Sequence, residues 1–332
     1  MAVSTGSGRL RAGVLGLGMM GRHHCRVLNA LDGVDFVGVY DPAEGVPNTV
    51  EGQPVTKELD KFLAGLDYAV VATPTVYHLE MGTLLAERGI HALIEKPVAH
   101  SAEASRHLVE LFRTANLVGG VGHIERFNPA LQSLRARLAD GVLGDIYQIA
   151  TRRQGPFPGR IADVGVIKDL ATHDIDLTAW VSQQSYVSVN ARTTYRSGRP
   201  HEDMVVAVGT LSNGAIATHT VNWLTPFKER TTIVTGEKGA FVADTLTADL
   251  TYFENGVGNS NWYGVSTFRG VSEGDVTRFA LDKKEPLLAE HEAFRDAVLT
   301  GDTSKIVTLE QGAVVVDIAE KLVADGLTHR LS

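Results

Sequence analysis

The chain has 332 residues, 44% of them hydrophobic and 21% charged, the make-up of a folded globular protein of about two domains that needs no disulfide or metal to complete its core. Its formal net charge of −8 excludes the basic face that nucleic-acid binding requires, though not a local basic pocket for a small anion. With a single cysteine, Cys25, no internal disulfide forms, in line with a reducing, cytoplasmic setting; no apolar run approaches the roughly 20 residues of a membrane span, and Met1 to Arg9 lacks the apolar stretch of a signal peptide.

The first third alternates short apolar runs with helical patterns. Strands are expected at Arg11–Leu15, Asp35–Tyr40, Tyr68–Ala72, Ala92–Ile94 and Leu117–Val121, and helices at Gly21–Leu31, Leu79–Arg88 and Ala102–Thr114. Strands separated by helices pair in parallel through crossovers, which predicts a doubly wound α/β sheet. The pattern changes between Gly122 and Pro129, so the domains are drawn at 1–125 and 126–332. After a helix at Pro129–Leu138, longer alternating strands begin with Asp145–Arg153 and Ser185–Tyr195. Asn213-Gly214 lies between Met204–Leu211 and Ala215–Trp223, a strong hairpin signal; Gly236–Gly239 separates a second pair, Arg230–Thr235 and Ala240–Ala243, and Asp249–Phe253 reads as a further strand. A helix at Leu170–Val181 interrupts this mostly antiparallel, open sheet, giving an α+β second domain. Residues 254–280, rich in Gly, Ser and Asn, read as a loop. Helices at Leu287–Leu299 and Leu309–Asp325 close the chain, and the last is expected to pack back on the first domain.

The loop Gly16-Leu17-Gly18-Met19-Met20-Gly21 falls between the first strand and the first helix. Its glycines serve a tight turn, close approach to a pyrophosphate, and close packing of helix on sheet, while the helix turns its positive end toward the phosphates. Asp41 ends the second strand at the spacing of a ribose-binding carboxylate, and its charge disfavours a 2′-phosphate. The expected cofactor is therefore NAD, with NADP disfavoured. His23, His24 and Cys25 do not suggest a metal site, because neighbouring helix residues point in different directions.

Thr73-Pro74 and Glu95-Lys96-Pro97 follow the third and fourth strands. Ligands of open α/β sheets bind beyond the carboxyl ends of the strands, so Lys96 is expected to face the nicotinamide half of the cofactor, with Pro97 stiffening the chain beside it. In the second domain Asp169, His173 and Asp176 share a helical face by their spacing. The trio suits proton transfer near neutral pH and equally suits a helix start whose acidic residues meet the macrodipole. One His with two carboxylates gives thin support for zinc, and no metal is expected. Arg126 and Asn128, just past the boundary, and one of Arg152 and Arg153, which alternate faces, are candidates for an anionic substrate; surface arginines, Arg160 included, are the competing reading. Trp223 suits either stacking on a ring or a core position.

These segments together resemble the glucose-fructose oxidoreductase, inositol dehydrogenase and MocA family. The resemblance rests on Gly16–His23, Ala72-Thr73-Pro74 with His78, Glu95-Lys96-Pro97, and Asp169 with His173, and it covers essentially the whole chain. It implies a Rossmann domain followed by an α/β domain whose open sheet mediates oligomerisation, here as a homodimer or homotetramer. It further implies NAD(P)-dependent oxidation of a CH–OH group on a sugar, nucleotide sugar or cyclitol, with Lys96, Asp169 and His173 as the catalytic group. Gly122–Pro129, Gly155–Pro158 and Asn222–Pro226 look like the branch of UDP-N-acetylglucosamine 3-dehydrogenases, whereas related branches oxidise inositols or free sugars.

By this resemblance the expected cofactor contacts are Gly16, Gly18, Met19, Met20, Gly21, Asp41, Thr73, Pro74, His78, Glu95 and Lys96, and the expected substrate contacts are Lys96, Asp169 and His173, joined by the candidates Arg126, Asn128 and Arg153 named above. Two rivals are an NAD-dependent lyase or glycosidase that oxidises its sugar only transiently, and a non-enzymatic NAD-binding regulator. A regulator would need only the glycine loop and Asp41.

Overall fold

A computed structural model describes residues 8–159, 164–256 and 272–330. The chain divides into two compact units, one of Met1–Ile124 with Glu285–Asp317, the other of Glu125–Lys284 with Ile318–Ser332. Residues 285–317, placed by the sequence reading in the second domain, thus belong to the first unit.

The first unit contains, in chain order, β1 (Leu10–Leu15), α1 (Met19–Ala30), β2 (Val34–Tyr40), β3 (Thr49–Val50), β4 (Gln53–Thr56), α2 (Leu59–Leu63), β5 (Tyr68–Val71), α3 (His78–Glu87), β6 (His91–Glu95), α4 (Ala102–Ala115) and β7 (Gly119–Gly122). The strand order is β3-β4-β2-β1-β5-β6-β7, parallel except for β3 against β4. Alternate residues feed opposite faces: Tyr68 and Val70 of β5 join Cys25 and Leu28 in one core, while Ala69 and Val71 join Leu85 and Leu108 in the other. Burial on both faces is why these strands read as continuous apolar runs. The sequence reading missed β3, β4 and α2, which are too short and too exposed to carry a periodic pattern. The strands run parallel and the order of strand addition reverses between β1 and β5, so the segments after β1, β2, β5 and β6 gather at one end of the sheet, the usual ligand position of this architecture.

The second unit contains α5 (Pro129–Ala139), β8 (Ile146–Pro156), α6 (Thr172–Ser182), β9 (Tyr186–Thr194), β10 (Met204–Leu211), β11 (Ile216–Asn222), β12 (Leu224–Gly236), β13 (Gly239–Asp244), β14 (Asp249–Gly256) and β15 (Ser272–Arg278). Its sheet runs β15-β14-β13-β12-β8-β11-β10-β9, antiparallel throughout except for β8 beside β11. Both expected hairpins form. β15 corrects the loop assigned to 254–280 in its last part; residues 257–271 lie outside the described residues. Leu131 and Leu134 of α5 and Leu177 and Val181 of α6 pack with Ile149, Val234 and Phe241 on one face. Along β10 every second residue from Val205 is buried and those between them exposed, as a sheet covered on one side requires.

Two helices follow, α7 (Pro286–Thr300) and α8 (Leu309–Thr328). α7 and the first half of α8 belong to the first unit, where Phe294, Ala297 and Val316 enter its cores. No helix among the described residues is long and apolar enough to cross a membrane.

Candidate active site

The glycine loop has the geometry that a pyrophosphate demands. Gly16 turns at φ +96°, a conformation that costs other residues strain. A Cβ on Gly21 would sit 2.0 Å from the Gly16 carbonyl oxygen, so only glycine allows α1 to start this close to β1. At Gly18 a Cβ would meet nothing within 4 Å; the backbone there is open to a ligand. Asp41 spends one carboxylate oxygen on the N–H of Leu17 at 2.7 Å and the other on the N–H of Ala43 at 2.9 Å. Each oxygen keeps a lone pair for ribose hydroxyls. The residues present therefore fit a dinucleotide.

Thr73 and Pro74 leave β5, and Lys96 leaves β6, with a cis peptide bond between Lys96 and Pro97. His78 does not present itself to a ligand. It is buried beneath these segments, with Nδ1 2.9 Å from the Pro97 carbonyl and Nε2 2.9 Å from the Thr73 carbonyl, so a neutral ring donates its single N–H to one of the two. Burial holds its pKa below the ordinary histidine value. Glu95 likewise faces inward. One oxygen lies 2.9 Å from His24 Nε2 and the other accepts the N–H of Lys96 at 3.1 Å. Burial disfavours its charge, but the His24 hydrogen bond and the charges of His24 and Lys96 outweigh that and keep it below the usual carboxylate range.

His23 is exposed, whereas His24 and Cys25 are buried. Burial pushes the Cys25 thiol up to about 12, which leaves it unreactive. The sequence reading missed His24. Its signal was the spacing Gly21, His24, Cys25, Leu28, the buried stripe of α1.

In the second unit, Asp169 sits in a single π-turn, Ile167–Ala171, that leads directly into α6. The wider turn is a frequent accompaniment of functional sites. Glu202 holds its start, accepting the N–H of Ile167 at 3.0 Å while its carbonyl accepts the N–H of Val166 at 3.0 Å. Asp169 is buried and His173, at the start of α6, is half-buried. Asp176 does not belong with them. It is buried in a two-pronged ion pair with Arg126, at 2.8 and 2.5 Å.

That pair also corrects the substrate role expected of Arg126. Arg153 is similarly committed, donating to Asp174 at 2.9 Å and to Glu125 at 2.9 Å. Burial opposes its charge, yet the two carboxylates prevail and raise its pKa. Asn128 caps α5 by accepting the N–H of Ala130 at 3.0 Å and donates to the Thr245 carbonyl at 3.0 Å. All three brace the second unit from inside. The sequence places arginines on faces but does not show that carboxylates wait behind them. Arg152 is exposed beside Glu229 at 3.4 Å, and Arg160 lies outside the described residues. Trp223 is buried, with Phe157 edge-on at 5.3 Å. Arg199, unremarked in the sequence, lies over both rings, 4.5 Å from Phe157 and 5.1 Å from Trp223. Its Nη1 is buried without a hydrogen-bond partner.

Two family models match the chain. Residues 10–123 match an oxidoreductase family with an NAD-binding Rossmann fold, and residues 131–242 match the GFO/IDH/MocA C-terminal domain. The chain belongs to the GFO/IDH/MocA oxidoreductase family. It is 30% identical over 297 residues to the UDP-N-acetylglucosamine 3-dehydrogenase of Acidithiobacillus ferrooxidans, covering 87% of this chain and 88% of that one. A solved structure of that enzyme superposes with a TM-score of 0.83 at 27% identity, over 96% of this chain and 97% of the other. The scyllo-inositol 2-dehydrogenase (NAD(+)) of Bacillus subtilis is 29% identical over 198 residues, 55% of this chain and 56% of that one. Membership makes this chain an NAD-dependent dehydrogenase with a Rossmann first domain, as the sequence implied.

Proposed function

We propose that this GFO/IDH/MocA member oxidises a ring hydroxyl of a nucleotide-linked amino sugar, with C3 of a UDP-N-acetylhexosamine as the first candidate. The observation that carries the choice is coverage. Likeness to the UDP-N-acetylglucosamine 3-dehydrogenase spans 88% of that enzyme, whereas likeness to the scyllo-inositol enzyme spans 56%.

Bound NAD supplies the hydride acceptor, and the protein supplies position and charge. His173 takes the hydroxyl proton, a contribution of roughly 10²–10⁴ in rate. The Lys96 ammonium orients the hydroxyl and stabilises the negative charge that develops on oxygen. Asp169 orients the substrate beside His173. The main-chain N–H groups of the Gly16–Gly21 loop and the carboxylate of Asp41 bind the dinucleotide, with Met19, Met20, Thr73 and Pro74 around it. Arg199 replaces Arg126 and Arg153 as the cation for the substrate's anionic part, since its Nη1 has no other partner.

The exposed apolar row of Val206, Val208 and Ile216 on the second sheet supports a homodimer or homotetramer, which sedimentation measures. Substrate choice is tested by NAD reduction against UDP-sugars, free sugars and inositols. Activity on an inositol with none on any UDP-sugar overturns the assignment. Turnover of a glycoside without net NADH would instead identify the lyase or glycosidase.

A further inference from the structure

Beneath Lys96 lies a buried polar cluster that the reaction above leaves unused. It draws on three elements of the first unit: His24 from α1, Glu95 from the end of β6, and Glu290 with His291 from α7. All four side chains are buried, His24 and His291 completely. The contacts form a chain. Glu95 Oε2 accepts the Lys96 N–H at 3.1 Å, Glu95 Oε1 lies 2.9 Å from His24 Nε2, and His24 Nδ1 lies 2.8 Å from His291 Nε2. Burying so many ionisable groups is costly unless they satisfy one another.

Hydrogen bonding sets the direction of this chain. An ionised Glu95 only accepts, so His24 Nε2 carries the proton. His24 Nδ1 and His291 Nε2 share a single proton, one nitrogen donating and the other accepting. His291 Nδ1 has no partner. Next to it in sequence, Glu290 has two buried carboxyl oxygens without partners. Burial and the Glu95 charge hold Glu290 protonated well above the ordinary carboxylate range, while burial and then His24 keep His291 neutral. The groups electrostatically coupled to Glu95 are His24 from α1, His78 from α3, Lys96 on its own segment and Glu290 from α7. The arrangement keeps the one negative charge of the cluster on the residue next to Lys96.

We propose that His24 and His291 are positioning residues for Lys96: together they hold Glu95 as an oriented anion, which fixes the backbone and the charge environment from which Lys96 reaches the substrate. The proposal rests on the catalytic part given to Lys96 above.

The test is a double-mutant cycle in the NAD-loaded enzyme. His24→Leu should lower kcat about 10- to 100-fold, as displacement of a reacting group does, while the KM for NAD stays within about twofold. His24→Gln retains an N–H for Glu95 and should recover most of the loss. In the Lys96→Ala background, His24→Leu should cost nothing further, because it acts through Lys96. Multiplying losses overturn the proposal and leave the role of Lys96 standing; wild-type turnover by Lys96→Ala removes both. A readout independent of activity and of variant folding is the ¹⁵N imidazole spectrum of the wild-type holoenzyme. It should show His24 protonated at Nε2 and His291 neutral, and a His24 whose Nε2 carries no proton overturns the proposal.

Discussion

The carboxylate of Asp41 accepts the N–H of Leu17 at 2.7 Å, so the residue proposed to meet the adenosine ribose also braces the Gly16–Gly21 loop proposed to meet the pyrophosphate. Replacing it removes a charged acceptor from both tasks. Asp41→Ala is expected to weaken NAD binding by about tenfold or more, from the loss of hydrogen bonds to a charged group worth about 1.5–3 kcal/mol. It should also narrow the preference over NADP, because the charge facing a 2′-phosphate is gone. Fluorescence titration with both dinucleotides measures this, and an unchanged NAD affinity would count against Asp41 as a cofactor residue.

Two alanine substitutions in the same loop should fail in different ways. A methyl at Gly21 collides with the Gly16 carbonyl at 2.0 Å, whereas one at Gly18 meets no protein atom. Gly21→Ala should therefore lower the melting temperature even without cofactor, by the equivalent of about 1–3 kcal/mol or more for overpacking. Gly18→Ala should melt like the parent chain without NAD and show its defect only as weaker NAD binding. Equal melting of the two cofactor-free variants would contradict this division.

Lys96→Ala and His173→Ala are each expected to reduce turnover by roughly 10²–10⁴ with NAD binding retained. Steady-state kinetics beside a binding titration separates the two quantities. Near-parental turnover in both variants would remove them from the catalytic group.

Arg153 links Asp174 and Glu125 inside the second unit. Truncating it takes the arginine from buried Asp174 and leaves Glu125 only Arg230, at 3.4 Å, a loss expected to cost about 3–5 kcal/mol. Arg153→Ala should unfold at markedly lower denaturant concentration than Arg152→Ala, whose side chain is exposed. Comparable midpoints for the two would show that the buried network contributes little.

His219 gives a pH prediction. Thr151 Oγ1 lies 2.7 Å from its Nδ1 and the Tyr186 hydroxyl 2.8 Å from its Nε2, and burial lowers its pKa from 6.5 to about 4. Between those values the unfolded chain binds a proton that the folded chain refuses, so stability falls as pH falls. The contribution is intact above 6.5 and declines by roughly 3 kcal/mol by the time pH reaches 4. His219→Gln should lose less stability across that window in urea titrations, and a slope equal to the parent's would locate the pH dependence elsewhere.

Much of this protein was legible in the chain itself. Period and punctuation are local, so the apolar runs of β1, β5 and β6, the Asn213-Gly214 hairpin and the Gly16–Gly21 loop all declare their conformations without distant partners. The same holds for Lys96 and His173, each placed directly after or within a recognisable element. Tertiary structure alone decided what the charged interior does. Arg126 and Arg153 are the same residue type as the exposed Arg152, and only the fold reveals that Asp176, Asp174 and Glu125 stand opposite the first two. His24 lies 267 residues from His291, and nothing in either neighbourhood announces the other. Burial by partners distant in sequence sets the charge of Glu95, the neutrality of His291 and the inward turn of His78. The sequence by itself pointed to a dinucleotide cofactor and to the loop expected to meet it; the folded chain determined which polar side chains are consumed in bracing its interior, because desolvation and pairing depend on neighbours that only folding supplies.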